Sequence, residues 1–397
     1  VTGVQNNALQ TNNNGNNFLI GSNHITQLAA DNVYGIQLQG NSTQPISIRY
    51  NDIHSLNSSG TGFSVRPVRI NSTGASTVTV SYNKIYDITC TEALAYAGGI
   101  SLFTNSTVNI LNNLIGDIKA PNSNLGATAP TIAGIREEGG VSSPGINIYY
   151  NTIHLASSGS GANFSSAGLY IFTFSALRLR NNILNNESVP GALGRSVALW
   201  YGGTNISNYQ SVSNNNLLFA GSPGPQNLIF FDGNNSDQTL GAFKARVTPR
   251  EDKSVSVQTQ FISTNGADAT FLHLSSGNNC QLLGGGDNTG ILLSTDYDQE
   301  PRNISYPFIT DIGADEAGKF TAWTGANGTN WNDPANWSNG IVPNSTEVNV
   351  SITEPPVNQP VIGLGETFQV GKLYISPEAT LYNRGTLKVY GRQIATL

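Results

Sequence analysis

The sequence predicts an all-β chain: a right-handed parallel β-helix of about ten coils with an asparagine ladder over residues 1–317, then a small Trp-containing β domain over 318–397. Three observations predict it. A hydrophobic repeat returns every 28 to 38 residues, strand-type alternation runs inside each repeat, and the composition suits turns rather than helices.

The repeat reads apolar-x-apolar-x-x-Asn-x-apolar and is anchored on Asn23, Asn51, Asn83, Asn113, Asn151, Asn182 and Asn215. Three residues before the anchors stand Ile20, Ile48, Val80, Ile110, Ile148, Leu179 and Val212; two after stand Ile25, Ile53, Ile85, Ile115, Ile153, Leu184 and Leu217. Five before stand Phe18, Ile46, Val78, Val108, Ile146 and Leu177, with Gln210 breaking the column. A spacing of two puts alternate side chains on one face of a strand. The intervals are too long for hairpins and hold a second strand-like run, such as Gly99-Ile100-Ser101-Leu102 or Gly168-Leu169-Tyr170-Ile171. Stacked in parallel at about 4.8 Å per coil, such units align their Val, Ile and Leu in inward columns. The anchor Asn then falls at the sharp turn between two strands. There its amide donates to one neighbour and accepts from the other, satisfying buried polar groups along the stack, so the anchors are read as architectural.

The composition fits this reading. The chain has 49 Asn and 43 Gly and only 11% charged residues, which favours turns and uncharged hydrogen-bonding ladders over a helix bundle. A net charge of −6, with 7 Lys and 12 Arg in no run, leaves no basic track for a phosphate backbone, so nucleic acid is not an expected partner. No run approaches the roughly 18 apolar residues of a membrane span, so direct membrane insertion is not expected either.

Beyond Leu217 the register loosens, and three stretches carry a likeness. They are Ala269-Thr270-Phe271-Leu272-His273-Leu274-Ser275-Ser276-Gly277, Asp296-Tyr297-Asp298-Gln299-Glu300-Pro301-Arg302 and Asp311-Ile312-Gly313-Ala314-Asp315-Glu316. In order and spacing they resemble the end of the secreted right-handed parallel β-helix, pectin-lyase-like, proteins of Bacteroidota, with departures at Asn278-Asn279 and Gln299-Glu300. A composition shift near Gly318 opens the second unit. Trp323-Thr324-Gly325, Trp331-Asn332-Asp333 and Asn336-Trp337-Ser338-Asn339-Gly340 precede Val342-Pro343, an arrangement similar to a Trp-rich module of Bacteroidota cell-surface proteins. The clustered Trp read as the core of a domain with few aliphatics rather than as a sugar platform. The strand pattern runs unfinished to Leu397, which reads as a module of a larger surface protein. The two likenesses imply a secreted, extracellular or cell-surface location, with export by the type IX route.

Enzymes of this fold class work in a groove on one outer face, with paired carboxylates or a basic residue beside a metal. The glycosidase-type motifs Asn-Thr-Asp, Asp-Asp and Gly-His-Gly are absent from the sequence. Asp87 and Asp117 stand four residues after consecutive anchors, about 5 Å apart by strand spacing, the separation retaining glycosidases use. Lys84 and Lys119 beside them give the plainer reading of neutralised surface acids. Arg136 suits a uronate carboxylate, while Glu137 and Glu138 point to opposite faces if they lie on a strand. The catalytic candidates, for a polysaccharide lyase or glycoside hydrolase, are therefore Asp87, Asp117, Arg136 and Glu137, and the balance of the sequence is against an enzyme.

Asp296, Asp298 and Glu300 alternate in a turn-rich segment, a spacing that can gather oxygen ligands for Ca²⁺; no other cofactor is expected. His54 and His154 follow anchors three intervals apart, some 14 Å by strand spacing, too far for one metal, and read as turn residues. Cys90 and Cys280 lie several coils apart and read as separate thiols. The expected function is a non-enzymatic extracellular structural or adhesin-type β-helix whose partners are surface glycans or neighbouring copies of itself. The alternatives are a self-assembling filament subunit and the lyase or hydrolase.

Overall fold

The computed structural model describes residues 6–12, 18–26, 28–30, 32–40, 44–58, 64–72, 77–139, 144–172, 175–275, 279, 281–291, 293–302, 310–317, 319–338, 340–346, 348–353 and 356–390. Cys280 lies outside them. Contacts divide the chain into two units: Val1–His273 with Asp296–Gln299 and Ile312–Asp315, and Leu274–Thr295 with Glu300–Asp311 and Glu316–Leu397.

The first unit is a right-handed parallel β-helix of about nine turns. Each coil is made of short strands, for example Ile46–Arg49, Asp52–Ser58 and Val65–Ser72, followed by Thr77–Ser81, Lys84–Cys90 and Ala97–Leu102. Like strands stack in register to form a six-stranded sheet 1, a nine-stranded sheet 2 and a nine-stranded sheet 3. The apolar columns coincide with the register: Val78, Val108, Ile146 and Leu177 pair in sequence, as do Val80, Ile110, Ile148 and Leu179, and all are buried. Inward glycines in sheet 3 make room for sheet 2, since a Cβ on Gly134 would stand 2.3 Å from Ile153 Cγ2. The stack ends after Asn227–Phe231. There the chain reverses into the antiparallel Ser236–Asp237 and the helix Leu240–Val247, whose Phe243 stacks on Phe230 at 4.9 Å.

The polar ladder runs through the corner between sheets 1 and 2. Asn23 Nδ2 donates to Asn51 Oδ1 at 2.8 Å, and the pattern repeats to Asn83, Asn113, Asn151, Asn182 and Asn216 at 2.8 to 3.1 Å. Each Oδ1 also accepts the backbone N–H of the preceding rung, and from Asn51 on each Nδ2 reaches a carbonyl one coil back, as Asn113 does to Val80 at 2.9 Å. The seventh rung is Asn216, which corrects the sequence assignment of Asn215. The residue before each rung carries the corner's positive φ: Ser22, Tyr50, Tyr82, Asn112, Tyr150, Asn181 and Asn215, at 50 to 58°. In the run Asn214-Asn215-Asn216, Asn215 takes that left-handed position, which Asn tolerates, and Leu218 rather than Leu217 pairs with Leu184.

The ladder ends on an acid. Asn216 Nδ2 donates to both carboxylate oxygens of Glu251, at 3.0 and 3.1 Å, and the Tyr209 and Ser254 hydroxyls donate to the same carboxylate. Glu251 is fully buried, and burial pushes its carboxyl above the usual range against these hydrogen bonds.

Residues 255–273 then run back across the outer face of sheet 2. Phe261 lies against His154 at 5.3 Å and Phe271 against Tyr86 at 5.7 Å, and a Cβ on Gly266 would stand 1.9 Å from the Tyr86 ring. Ile312–Asp315 dock on the same face. The Gly313 N–H, at φ +106°, donates to the Asn181 carbonyl, and Ala314 N–H to Thr152 Oγ1 at 2.9 Å.

In the second unit Trp323, Trp331 and Trp337 are buried, with ring centroids 4.7 to 6.5 Å apart, and pack with Val350, Ile352, Ile362, Phe368 and Val370. Their role is core. Arg302 pairs with Glu316 and Lys372 with Asp311, each at 3.2 Å and buried, which ties the earlier segments of this unit to its Trp-containing part. The composition break at 317/318 therefore falls inside the unit.

Asn216→Ala leaves the Asn182 backbone N–H without its Oδ1 acceptor and Glu251 without its Nδ2 donor, and is expected to cost about 2–6 kcal/mol at about 1–3 per stranded buried group. Asn215→Gly, which keeps positive φ accessible, is expected to cost less. Equal losses of melting temperature would return the rung to Asn215. Because the Glu251 carboxyl is raised in the folded state, its contribution is fully present below the unfolded carboxyl range and is lost as pH rises through the folded value. The melting temperature of Glu251→Gln should therefore gain on wild type as pH rises from about 5 to 8; a constant difference would contradict the raised value.

Candidate functional site

Alternation along sheet 3 sends Ile100 and Leu102 into the core and Ser101 outward, and the same parity holds on every coil. In register, the outward column reads Gln37, Arg69, Ser101, Arg136, Tyr170, Trp200 and Phe231. A second column begins Tyr34, Arg66 and continues through Ala133, Ala167, Val197 and Leu228. The later coils make an aromatic patch that packs on itself, with Trp200 edge-on to Tyr170 at 6.3 Å and to Phe231 at 5.0 Å.

The earlier coils are cationic. Arg66 and Arg136 lie over the Tyr96 ring at 4.6 and 4.3 Å, Arg136 also over Tyr170 at 4.8 Å, and Arg69 donates to the Tyr34 hydroxyl at 3.0 Å. Glu138 Oε1 accepts from Arg66 Nε at 2.7 Å and from the Tyr96 hydroxyl at 3.0 Å, with Arg136 Nε at 3.9 Å. Burial pulls the Arg136 guanidinium down and the Glu138 charge opposes it. Glu137 has the opposite parity and accepts the Phe172 backbone N–H at 2.8 Å. Arg66 and Arg136 thus share the single Glu138 carboxylate, and Arg69 lies beside them in register. Among the described residues, Arg69 Nε, Ser101 Oγ and Arg136 Nε, neighbours in register, are buried without hydrogen-bond partners. At the edge, Phe103, Glu138 and Phe172 occupy corresponding positions on three successive coils. Phe103 is 40% and Phe172 55% exposed, and two coil steps separate them by about 10 Å. The partly exposed Arg69 and the exposed Phe103 and Phe172 offer charge and aromatic surface to a ligand, over the buried Arg66 and Arg136.

The four catalytic candidates are not brought together. Arg136 and Glu137 belong to sheet 3, Asp87 and Asp117 to sheet 2. Asp87 and Asp117 do lie on neighbouring coils, between the pairs Ile85–Ile115 and Ile88–Ile118, but both hold a backbone kink at φ 52° and 50° that Ser55 shares. Ser55 Oγ donates to Asp87 at 2.7 Å, and Lys119 pairs with Asp117 at 2.6 Å. Lys84 turns instead to the Asp268 carbonyl at 2.9 Å.

The three residues read as a calcium loop separate. Asp296 is buried and accepts the Asp298 N–H, Glu300 is exposed, and Asp298 sits 3.2 Å from His273, grouped with Asp315. His54 and His154 are strand residues of sheet 2 rather than turn residues, because odd offsets from the rung continue the strand outward. A second group sequence reasoning missed is His24, Asp52 and His54. Its signal was legible, since His24 and His54 stand one and three residues after consecutive rungs, on the same outward parity. No known family model, curated protein or solved structure matches the chain.

Glu138→Gln leaves the nearly buried Arg66 and its neighbour Arg136 without their shared carboxylate. It is expected to cost about 3–5 kcal/mol, as breaking a buried pair does. Thermal melts measure it; an unchanged melting temperature would show that this cluster contributes nothing to the fold.

Proposed function

We propose that this protein is a non-enzymatic extracellular β-helix of the structural or adhesin type, and that the sheet 3 face binds an anionic surface glycan. The observation that carries the reading is the cationic face itself: Arg66, Arg69 and Arg136 gathered on one outward surface of a chain of net charge −6, with Phe103 and Phe172 exposed at its edge. A guanidinium fork pairs with a carboxylate or sulfate through parallel hydrogen bonds, and an exposed ring offers its face to the C–H surface of a sugar. The likeness to secreted Bacteroidota β-helix proteins with a Trp-rich surface module supports an extracellular setting.

Calorimetric titration with an acidic oligosaccharide, oligogalacturonate, and with a neutral glucan of equal length tests the reading. Binding of the acidic chain alone is expected, weakened about tenfold or more by Arg69→Gln, a change of about 1.4 kcal/mol, weakened also by Phe172→Ala, and reduced by added salt. Release of unsaturated ends or reducing ends during the titration would make the protein a lyase or hydrolase instead. Fibres in electron micrographs of a sample that binds no acidic saccharide would favour the filament.

A further inference from the structure

We propose that His24 and His54 form a binding site for a borderline divalent cation of the Zn²⁺ class on the outer face of sheet 2. The two residues come from neighbouring coils. His24 pairs in register with Asp52, and His54 follows Asp52 by two residues on the same outward parity. One ligand atom from each of His24, Asp52 and His54 lies within 4.8 Å of the others.

Hydrogen bonding decides which ring nitrogens are free. His24 Nδ1 faces Asp52 Oδ2 at 3.4 Å, which only an N–H can satisfy. His54 Nδ1 faces two hydroxyls, Ser55 Oγ at 3.0 Å, whose proton goes to Asp87 Oδ2 at 2.7 Å, and Thr26 Oγ1 at 3.3 Å, so an Nδ1–H has acceptors on either side. In that tautomer both Nε2 atoms carry lone pairs, and they point at one another 3.2 Å apart. A cation between them takes up both; without one, a hydrogen on His54 Nε2 bridges the rings.

The spacing is that of a metal. Two Zn–N bonds of about 2.0–2.1 Å at a tetrahedral angle place the nitrogens about 3.3 Å apart. The partners on Nδ1 are the carboxylate and hydroxyl that orient metal-bound imidazoles. Asp52 Oδ1 is buried with no hydrogen-bond partner among the described residues, and lies where it can take up further charge at the site. The Tyr86 ring stacks on His54 at 4.7 Å and 10°, fixing its plane. Lys84, the nearby ammonium, is drawn away by the Asp268 carbonyl.

Titrating ZnCl₂ calorimetrically into the chelator-stripped full chain near neutral pH tests this. One site is expected whose dissociation constant rises about tenfold or more in His24→Gln and in His54→Gln and is unchanged in Asp298→Asn, which removes a member of the separate group of His273, Asp298 and Asp315. With Cu²⁺ in place of Zn²⁺, electron paramagnetic resonance should count two imidazole nitrogens in wild type and one in either His variant. His24 is exposed, so His24→Gln keeps the fold and carries the test if His54→Gln does not. The proposal is overturned if no binding appears up to about 1 mM, if binding survives His24→Gln, or if it is lost in Asp298→Asn instead.

Discussion

A parallel β-helix turns most sharply at one corner of every coil, and the polar groups buried there have nowhere to go but along the axis. Here an asparagine at each corner meets that demand. Its Oδ1 accepts twice and its Nδ2 donates to the next rung and, from the second rung on, to a carbonyl one coil back, so neither end of the amide is left over. Fixing this one column fixes the rest. Once Asn83, Asn113 and Asn151 are in register, Val80 must lie under Ile110 and Ile148, and Ile85 under Ile115 and Ile153. The hydrophobic columns supply most of the stabilisation, but it is the rung that excludes the register slip strands otherwise permit.

The fold was legible because the rung is a residue type with a fixed offset to its apolar neighbours, repeated often enough to rise above composition. The one misplacement, Asn215 for Asn216, arose where three asparagines run together and the apolar markers fail: Gln210 and the exposed Val212 are not core residues. The pattern also hid a division of labour. The residue in the left-handed conformation is the one before the rung, and a tyrosine holds it as readily as an asparagine once the ladder and the core over-determine the corner.

The candidate sites were less legible for a geometric reason. Outward residues on this fold belong to columns that cross coils, so Arg69, Ser101 and Arg136 become neighbours although they are dozens of residues apart. Reading local clusters found Arg136 and Glu137 but not Arg66, Arg69 or Tyr96. It also grouped Asp296, Asp298 and Glu300, whereas Asp298 finds His273 and Asp315 across a turn of the returning segment. The DIGADE stretch resolves in the same way: Asp311 and Glu316 anchor Lys372 and Arg302, while Gly313 and Ala314 grip the backbone and hydroxyl of sheet 2.

The ladder also has a direction. Every rung passes its amide hydrogen the same way, from Asn23 toward Asn216, so the side-chain dipoles add rather than cancel, as peptide dipoles do along a helix. The column is therefore polarised, and its last amide, with one hydrogen on the Leu179 carbonyl, presents the other with no further rung to take it. Glu251 takes that hydrogen between its two oxygens. The terminator is thus matched to the polarity of the whole column and not merely to the shape of the last corner.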